Sequence, residues 1–323
     1  METKKGDCMN FAPIILFVYN RLEHTKKTVE ALKNNTLASE SELFIYSDAA
    51  KNEENIDKVS QIRKYIKNID GFKNITIIEA SENKGLATTI PSGISDIINQ
   101  FGRVIVLEDD IVTSKYFLQF MNEALEEYKD DDNVGTVSGY LYPFGKVDST
   151  FFLQQGSSWG WGIWKRSWDL YENNGQKLLD ELLSKNLAYK FDYDENGGFI
   201  SMLEDSIKGK IDAWDIKFYA TMFLKKKLHY FPHHSLTMNI GFDNSGTHCS
   251  EWSFYDTILY NKPVEIKRQP IKENLKNRQL MVDYLRGPKK FINKFIDKTK
   301  YRNKRTIHFF GLKFSYQKKQ KDY

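Results

Sequence analysis

Cysteine is nearly absent from the 323-residue chain, with only Cys8 and Cys249. So few thiols exclude a disulfide framework and fit a reducing compartment. Long hydrophobic runs are missing too. The longest, around Phe11 to Tyr19, is far short of a spanning helix, and Pro13 interrupts it. The polar Asn20-Arg21-Leu22-Glu23-His24 follows it where an export signal would have small residues and a cleavage site, so the run reads as a strand. The first half contains neither G-x-G-x-x-G nor G-x-x-x-x-G-K-S/T. A nucleotide bound there would need another means of holding its diphosphate. With 41% hydrophobic and 14% aromatic residues, the chain has material for a folded core in one large domain or two smaller ones.

Charge is unevenly distributed. Residues 261–323 hold 19 Lys and Arg against 5 Asp and Glu, a net of +14, and the rest of the chain has a net of −10. An acidic body with a basic tail suggests a tail that seeks a polyanionic surface. Within it, KKFINKFIDK (289–298) places Phe291, Ile292, Phe295 and Ile296 on one helical face and Lys290, Lys294 and Lys298 on the other. A membrane-surface helix has this pattern, and so does a helix packed on the body with a solvated face. No recognised nucleic-acid motif accompanies the charge, so no nucleic-acid partner is expected.

Strand-like runs alternate with helical stretches through the first half. PIILFVYN (13–20), LFIYSD (43–48), ITIIEAS (75–81) and RVIVLEDD (103–110) read as strands. Helical patterns at 23–35, 56–67 and 88–101 separate them. This order predicts an α/β fold with a parallel, doubly wound sheet, whose ligands bind beyond the carboxyl ends of the strands. Asn20-Arg21, Asp48, Ser81 and the triplet Glu108, Asp109, Asp110 all fall at those ends. Three adjacent like charges suit a site for Mg²⁺ or Mn²⁺ bridging phosphate oxygens. They would also suit an acidic turn opening the following helix.

VIVLEDDIVTSKYFLQFMNEALEEY resembles the acidic motif of GT-A glycosyltransferases, and more closely the E-D-D form of the N-acetylglucosaminyltransferase I family and its bacterial family 2 relatives. FVYNRLEHTKKTVEAL, IYSDAAK, NKGLATTIPSGI, TVSGYLYPF, SSWGWGIWKRSWD, GKIDAWDIKFYA and NIGFDNSGTHC are similar to further blocks of the family, in the same order. The resemblance implies a GT-A (Rossmann-like), mostly parallel sheet flanked by helices, with a basic C-terminal extension. The catalytic domain would span 1–255, with a nucleotide-sugar half at about 11–112 and an acceptor half at about 113–255. The basic tail would occupy 256–323. The implied activity is a metal-dependent, inverting, hexosyltransferase-type transfer from a nucleotide-sugar, a UDP-sugar first, to a glycan, lipid-linked or protein hydroxyl. Bacterial surface polysaccharide or glycoconjugate synthesis would be its setting, on the cytoplasmic side and peripheral to the membrane.

Site roles follow from the resemblance. Asp110 would bind the metal, while Glu108 and Asp109 would face the donor sugar and ribose. Arg21 would approach the diphosphate; a strand-end Arg is equally a structural ion pair. Asp48 would bind uracil, although a turn Asp also caps helices, and Lys84 stands in a donor-side block. The family's glycine after this acid is Ala49 here, and the His that animal enzymes place near Thr89 is absent. Ser245 and Thr247 would donate to phosphates, and His248 would complete the metal shell. Trp159, Trp161 and Trp214 would face sugar rings, since aromatic faces stack on C–H groups, though core burial is the commoner fate of Trp. For the catalytic base, Asp212 and Asp215 stand at i, i+3 around Trp214 and would share a helical face. The bacterial block G-K-x-D-S-W-A-I puts its acid at Asp212, which comes first, with Asp215 second and Glu204 and Asp205 behind. His233 and His234 read as strand-end packing. A non-catalytic nucleotide-sugar-binding protein is the alternative, and a sugar-nucleotide pyrophosphorylase would want a Gly-rich loop after the first strand that FVYNRLEHT lacks.

Overall fold

A computed structural model describes residues 11–243 and 255–294, the last seven by backbone only, and the backbone of 304–309 and 312–317. The first strand, β1 (Ile14–Val18), is buried along its whole length. Burying each such side chain contributes about 1.5–3 kcal/mol. A strand covered on both faces reads as a continuous apolar run. After it come α1 (Leu22–Lys33), β2 (Glu42–Ser47), α2 (Glu53–Ile66), β3 (Asn74–Glu79), α3 (Leu86–Phe101) and β4 (Arg103–Glu108). The strands pair in parallel in the order β3-β2-β1-β4. Alternation divides the core between the two faces of the sheet. Ile14, Leu16 and Val18 face the side of α1 and α2, while Ile15 and Phe17 face Ile90, Ile94, Ile97 and Ile98 of α3. The helices α2 and α3 begin two or three residues earlier than their apolar spacing indicates, because their first turns hold few buried residues.

The second half adds β5 (Ile111–Thr113), α4 (Phe117–Glu127), β6 (Val134–Ser138), β7 (Phe151–Leu153), β8 (Trp161–Trp164) and α5 (Lys165–Trp168). Then come α6 (Gly175–Ser184), α7 (Ala188–Phe191), α8 (Phe199–Ile207), α9 (Asp215–Leu224), β9 (Leu228–Phe231) and β10 (Thr237–Asn239). Beyond β4 the main sheet continues as β8-β6-β9-β7, giving eight strands among the described residues. The pairings β4·β8, β6·β8 and β7·β9 are antiparallel, so the sheet is parallel in its first half and mixed in its second. Outside it, β10 pairs antiparallel with β5, and Ile240 donates its N–H to the Asp110 carbonyl at 2.9 Å.

Where the sequence separates a tail from 256 onward, the structure bonds residues 255–286 into the body. The Ser114 hydroxyl donates to the Tyr260 carbonyl at 2.6 Å, and Arg268 pairs with Asp131 at 2.7 Å. In α10 (Leu275–Lys294), Met281 and Val282 are buried with Phe151 and Phe231, and Arg278 pairs with Asp194 at 2.7 Å. The physical reason is that the first part of this segment has its own apolar residues, which its net charge conceals. Two further strands, β11 (Lys304–Phe309) and β12 (Leu312–Gln317), form an antiparallel hairpin. Among the described residues no helix is long and apolar enough to cross a membrane. The apolar and basic faces read at 289–298 lie outside the described side chains.

Candidate active site

The chain runs β1, β2, β3 to one side and returns to place β4 on the other side of β1, which opens a crevice at the carboxyl ends of β1 and β4. Arg21 leaves the end of β1 and Asp109 and Asp110 leave the end of β4, so the topology brings them together. The Arg21 Nη2 donates to Asp109 Oδ1 at 2.5 Å and to Asp110 Oδ2 at 2.8 Å. All three side chains are largely withdrawn from water, at 17%, 7% and 12% exposure. Burial opposes the Arg21 charge, but the two aspartates outweigh it and raise its pKa above the ordinary value. Burial likewise pushes Asp109 up to about 6 against the pull of Arg21.

Glu108 joins the cluster to a second acid. Burial, then Asp110, then Asp215, then Asp109 push its carboxyl well above the usual carboxylate range. Asp215, the first residue of α9, therefore lies within electrostatic reach of the triplet. Tyr219, one turn further along α9, is raised by burial and by Asp215, and its hydroxyl bonds with Ser158. Tyr171 is raised by the same two causes. Asp212 stands before the helix, so the two acids do not share a helical face as their spacing suggested.

Two carboxylates satisfy the start of α3 instead. Asp48 accepts from the backbone N–H of Lys84 at 3.1 Å and of Gly85 at 3.0 Å, and from the Asn83 amide at 3.1 Å. Asp212 accepts from the N–H of Leu86 at 2.9 Å and of Ala87 at 3.2 Å. The first N–H groups of a helix have no partner within it, so Asp212 supplies those of α3, while Asp48 from the other half of the chain holds the loop just before it. Gly85 has φ +74°, and a β-carbon there would stand 2.8 Å from the Asp212 carboxylate. Asp48 is thus a capping acid, for the loop entering α3 rather than for the helix after it. Lys84 is exposed on that loop.

Among the tryptophans, Trp161 and Trp214 are each 2% exposed and stack on one another with centroids 5.8 Å apart, in the core with Phe218. Neither presents an open face to a sugar, because both apolar rings gain more from the interior. Trp159 is half-buried at the edge of an aromatic group with Tyr140, Tyr142, Phe242 and Tyr255. His234 stacks on Tyr260 at 4.4 Å, as strand-end packing implies. Ser245, Thr247 and His248 lie outside the described residues.

The ribbon of β5 and β10 lays Gly241 directly on Asp110: a β-carbon at 241 would be 2.3 Å from Asp110 Oδ2 and 2.9 Å from Arg21 Nη1. Gly241→Ala is expected to displace the Asp110 carboxylate, at an overpacking cost of about 1–3 kcal/mol. This would be read as a donor KM raised by about tenfold. Unchanged steady-state kinetics would mean that Asp110 tolerates the shift. His24 supports the same segment through the Ile240 carbonyl at 3.2 Å and Asp243 at 3.1 Å.

Among the described residues no three His, Cys, Asp or Glu side chains converge on one metal position. The chemistry still fits a divalent cation, since a positive group already sits between Asp109 and Asp110, with phosphate oxygens able to fill a shell. Sequence reasoning missed Gly241, His24, Asn83 and Tyr219. Only Tyr219 carried a signal, standing one helical turn beyond Asp215.

The family model Glycosyl transferase family 2 matches residues 14–191, more than half of the chain and every strand that bears the acidic cluster. No curated protein matches. Among solved structures, the chain is similar to the mannosyltransferase PcManGT from Pyrobaculum calidifontis, described in complex with GDP-Man and Mn²⁺. That likeness has 14% identity and a TM-score of 0.34, and covers 55% of this chain and 50% of that one. It is also similar to residues 1–349 of TarS from S. aureus, with 9% identity and a TM-score of 0.39, covering 70% of this chain and 59% of that one. The chain thus spans between half and three-fifths of the length of these structures. With its parallel β1–β4 core, mixed second half and acids at the carboxyl edge, the protein has the GT-A fold, and it belongs to glycosyl transferase family 2.

Proposed function

We propose that this glycosyltransferase moves a sugar from a nucleotide-sugar, UDP-linked first, to an acceptor hydroxyl with inversion, using Mg²⁺ or Mn²⁺. The observation that carries the reading is the continuous group of ionisable side chains from Arg21 through Asp109 and Asp110 to Glu108 and Asp215, set at the carboxyl edge of the sheet. Asp110 would hold the cation, and Arg21 would turn to the diphosphate. Glu108 and Asp109 would face the sugar and ribose, and Asp48 would hold the rim at 83–85 beside the base. A bound cation would neutralise charge on the departing diphosphate, an effect of several kcal/mol.

Asp215 is proposed as the base. The acceptor O–H proton passes to its carboxylate as the oxygen forms a bond to C1, and the bond from C1 to the diphosphate oxygen breaks, releasing the nucleoside diphosphate. Its place beside Glu108 supports it over Asp212; Asp215 Oδ1 accepts from the N–H of Ile216 at 2.9 Å, within its own helix, whereas both Asp212 oxygens are bonded across to the start of α3. Trp159 is proposed at the acceptor side. The net charge of +14 in residues 261–323 suits an anionic cytoplasmic membrane face, where a lipid-linked glycan acceptor would be presented.

A thermal-shift screen of UDP-, GDP- and dTDP-sugars with and without Mn²⁺ tests the donor. At 100 times Kd the cognate donor is expected to stabilise the fold by about 2.7 kcal/mol, a shift of several degrees, and only with metal present. Absence of a shift with every donor would sink the reading. Stabilisation without any donor hydrolysis or transfer would favour a non-catalytic binding protein.

A further inference from the structure

Arg21 is already paired with both of the aspartates that would stand nearest a divalent cation in the proposed reading. Its Nη2 is shared between Asp109 Oδ1 and Asp110 Oδ2. The Asp110 Oδ2 has no second open approach on the side of the β5 and β10 ribbon, because the Gly241 backbone is packed against it closely enough to leave no room for a β-carbon. A divalent cation held by Asp110 would therefore have the Arg21 guanidinium close beside it on the same carboxylate. Two like charges held on one carboxylate repel strongly in a site so withdrawn from water, so each weakens the hold of the other. The acids on the cation are Asp109 and Asp110, and its other surroundings are the Gly241 backbone and the start of α1.

We propose, building on the metal-dependent reading above, that Arg21 is a built-in counter-cation that holds Asp109 and Asp110 until donor arrives, so that divalent metal and nucleoside diphosphate bind together and metal alone binds weakly. Arg21 is also the residue before α1, so a diphosphate reaching the crevice meets both its guanidinium and the N–H groups of that helix. Arg21 can then exchange the carboxylate for phosphate without leaving its charge unpaired. Neither partner gains this exchange alone: the metal lacks a new anion for Arg21, and the diphosphate lacks a cation for Asp110. The result is a positive coupling between two ligands. In this role Arg21 is a positioning residue.

The test measures Mn²⁺ affinity from the free-ion electron paramagnetic resonance signal, without turnover, alone and with UDP or GDP. Wild-type protein is expected to bind Mn²⁺ weakly alone and at least about tenfold more tightly with the matching nucleotide, the size of a modest coupling. Arg21→Met is expected to bind Mn²⁺ alone at least about tenfold more tightly than wild type, with the nucleotide adding little. Arg21→Met leaves two buried acids without a partner, so Arg21→Lys is measured beside it. Lysine keeps the charge but lacks the planar fork, and its Mn²⁺ affinity should fall between the other two. If both variants bind Mn²⁺ alone no more tightly than wild type while nucleotide still tightens wild type, the placeholder role is overturned and the metal-dependent reading stands. If wild type binds no Mn²⁺ even with nucleotide, both fail together.

Discussion

Replacing Asp110 with alanine is expected to abolish metal-stimulated sugar transfer, a fall of at least about a thousandfold if the cation supplies several kcal/mol. The fold should survive the change. Arg21 would still donate to Asp109 Oδ1, so no buried charge is orphaned, and the Asp110 backbone would still be held by Ile240. The Asp110 carboxylate also lies directly under Gly241, outside the strand pairing, so its removal opens the ribbon side without disturbing the sheet. Turnover is measured against Mn²⁺ concentration, with Mn²⁺ binding in the presence of nucleotide as a second readout. A variant that keeps turnover with the usual metal dependence would remove Asp110 from the ligand role.

Although β3 at the sheet edge is only half-buried, the first half of the fold was legible because its central strands, β1 and β4, are covered on both faces. Such strands are nearly uninterrupted apolar runs, and PIILFVYN and RVIVLEDD could hardly be anything else. Their order made the sheet parallel, and the parallel sheet put Arg21 and the acid triplet at one edge. The second half was less legible because its antiparallel pairings come from short strands such as β7 and β10, three residues each. Short strands carry no period. Net charge alone also left open whether residues 261–323 pack on the body, and Met281 and Val282 are core residues. Tryptophan was ambiguous for another reason. Trp159 differs in exposure from Trp161 and Trp214 through its neighbours in space, and those neighbours belong to distant segments.

The assignment of the base depended on where a helix begins, which sequence fixes poorly. Asp212 and Asp215 look equivalent at i, i+3, yet α9 starts at Asp215 and leaves Asp212 in the preceding loop. From that loop Asp212 reaches Leu86 and Ala87 and satisfies two N–H groups of α3, a capping task. Asp215 instead lies within electrostatic reach of Glu108, which in the proposed reading faces the donor sugar. The two substitutions should therefore separate cleanly. Asp215→Asn is expected to lower kcat by about 10²- to 10⁴-fold with donor KM and melting temperature little changed. Asp212→Asn is expected to cost about 0.5–2 kcal/mol of stability, seen as a lower melting temperature, with kcat within a few-fold of wild type. Should Asp212→Asn silence transfer at an unchanged melting temperature while Asp215→Asn remains active, the roles are reversed. The loop before α9, rather than its first turn, would then face the acceptor hydroxyl.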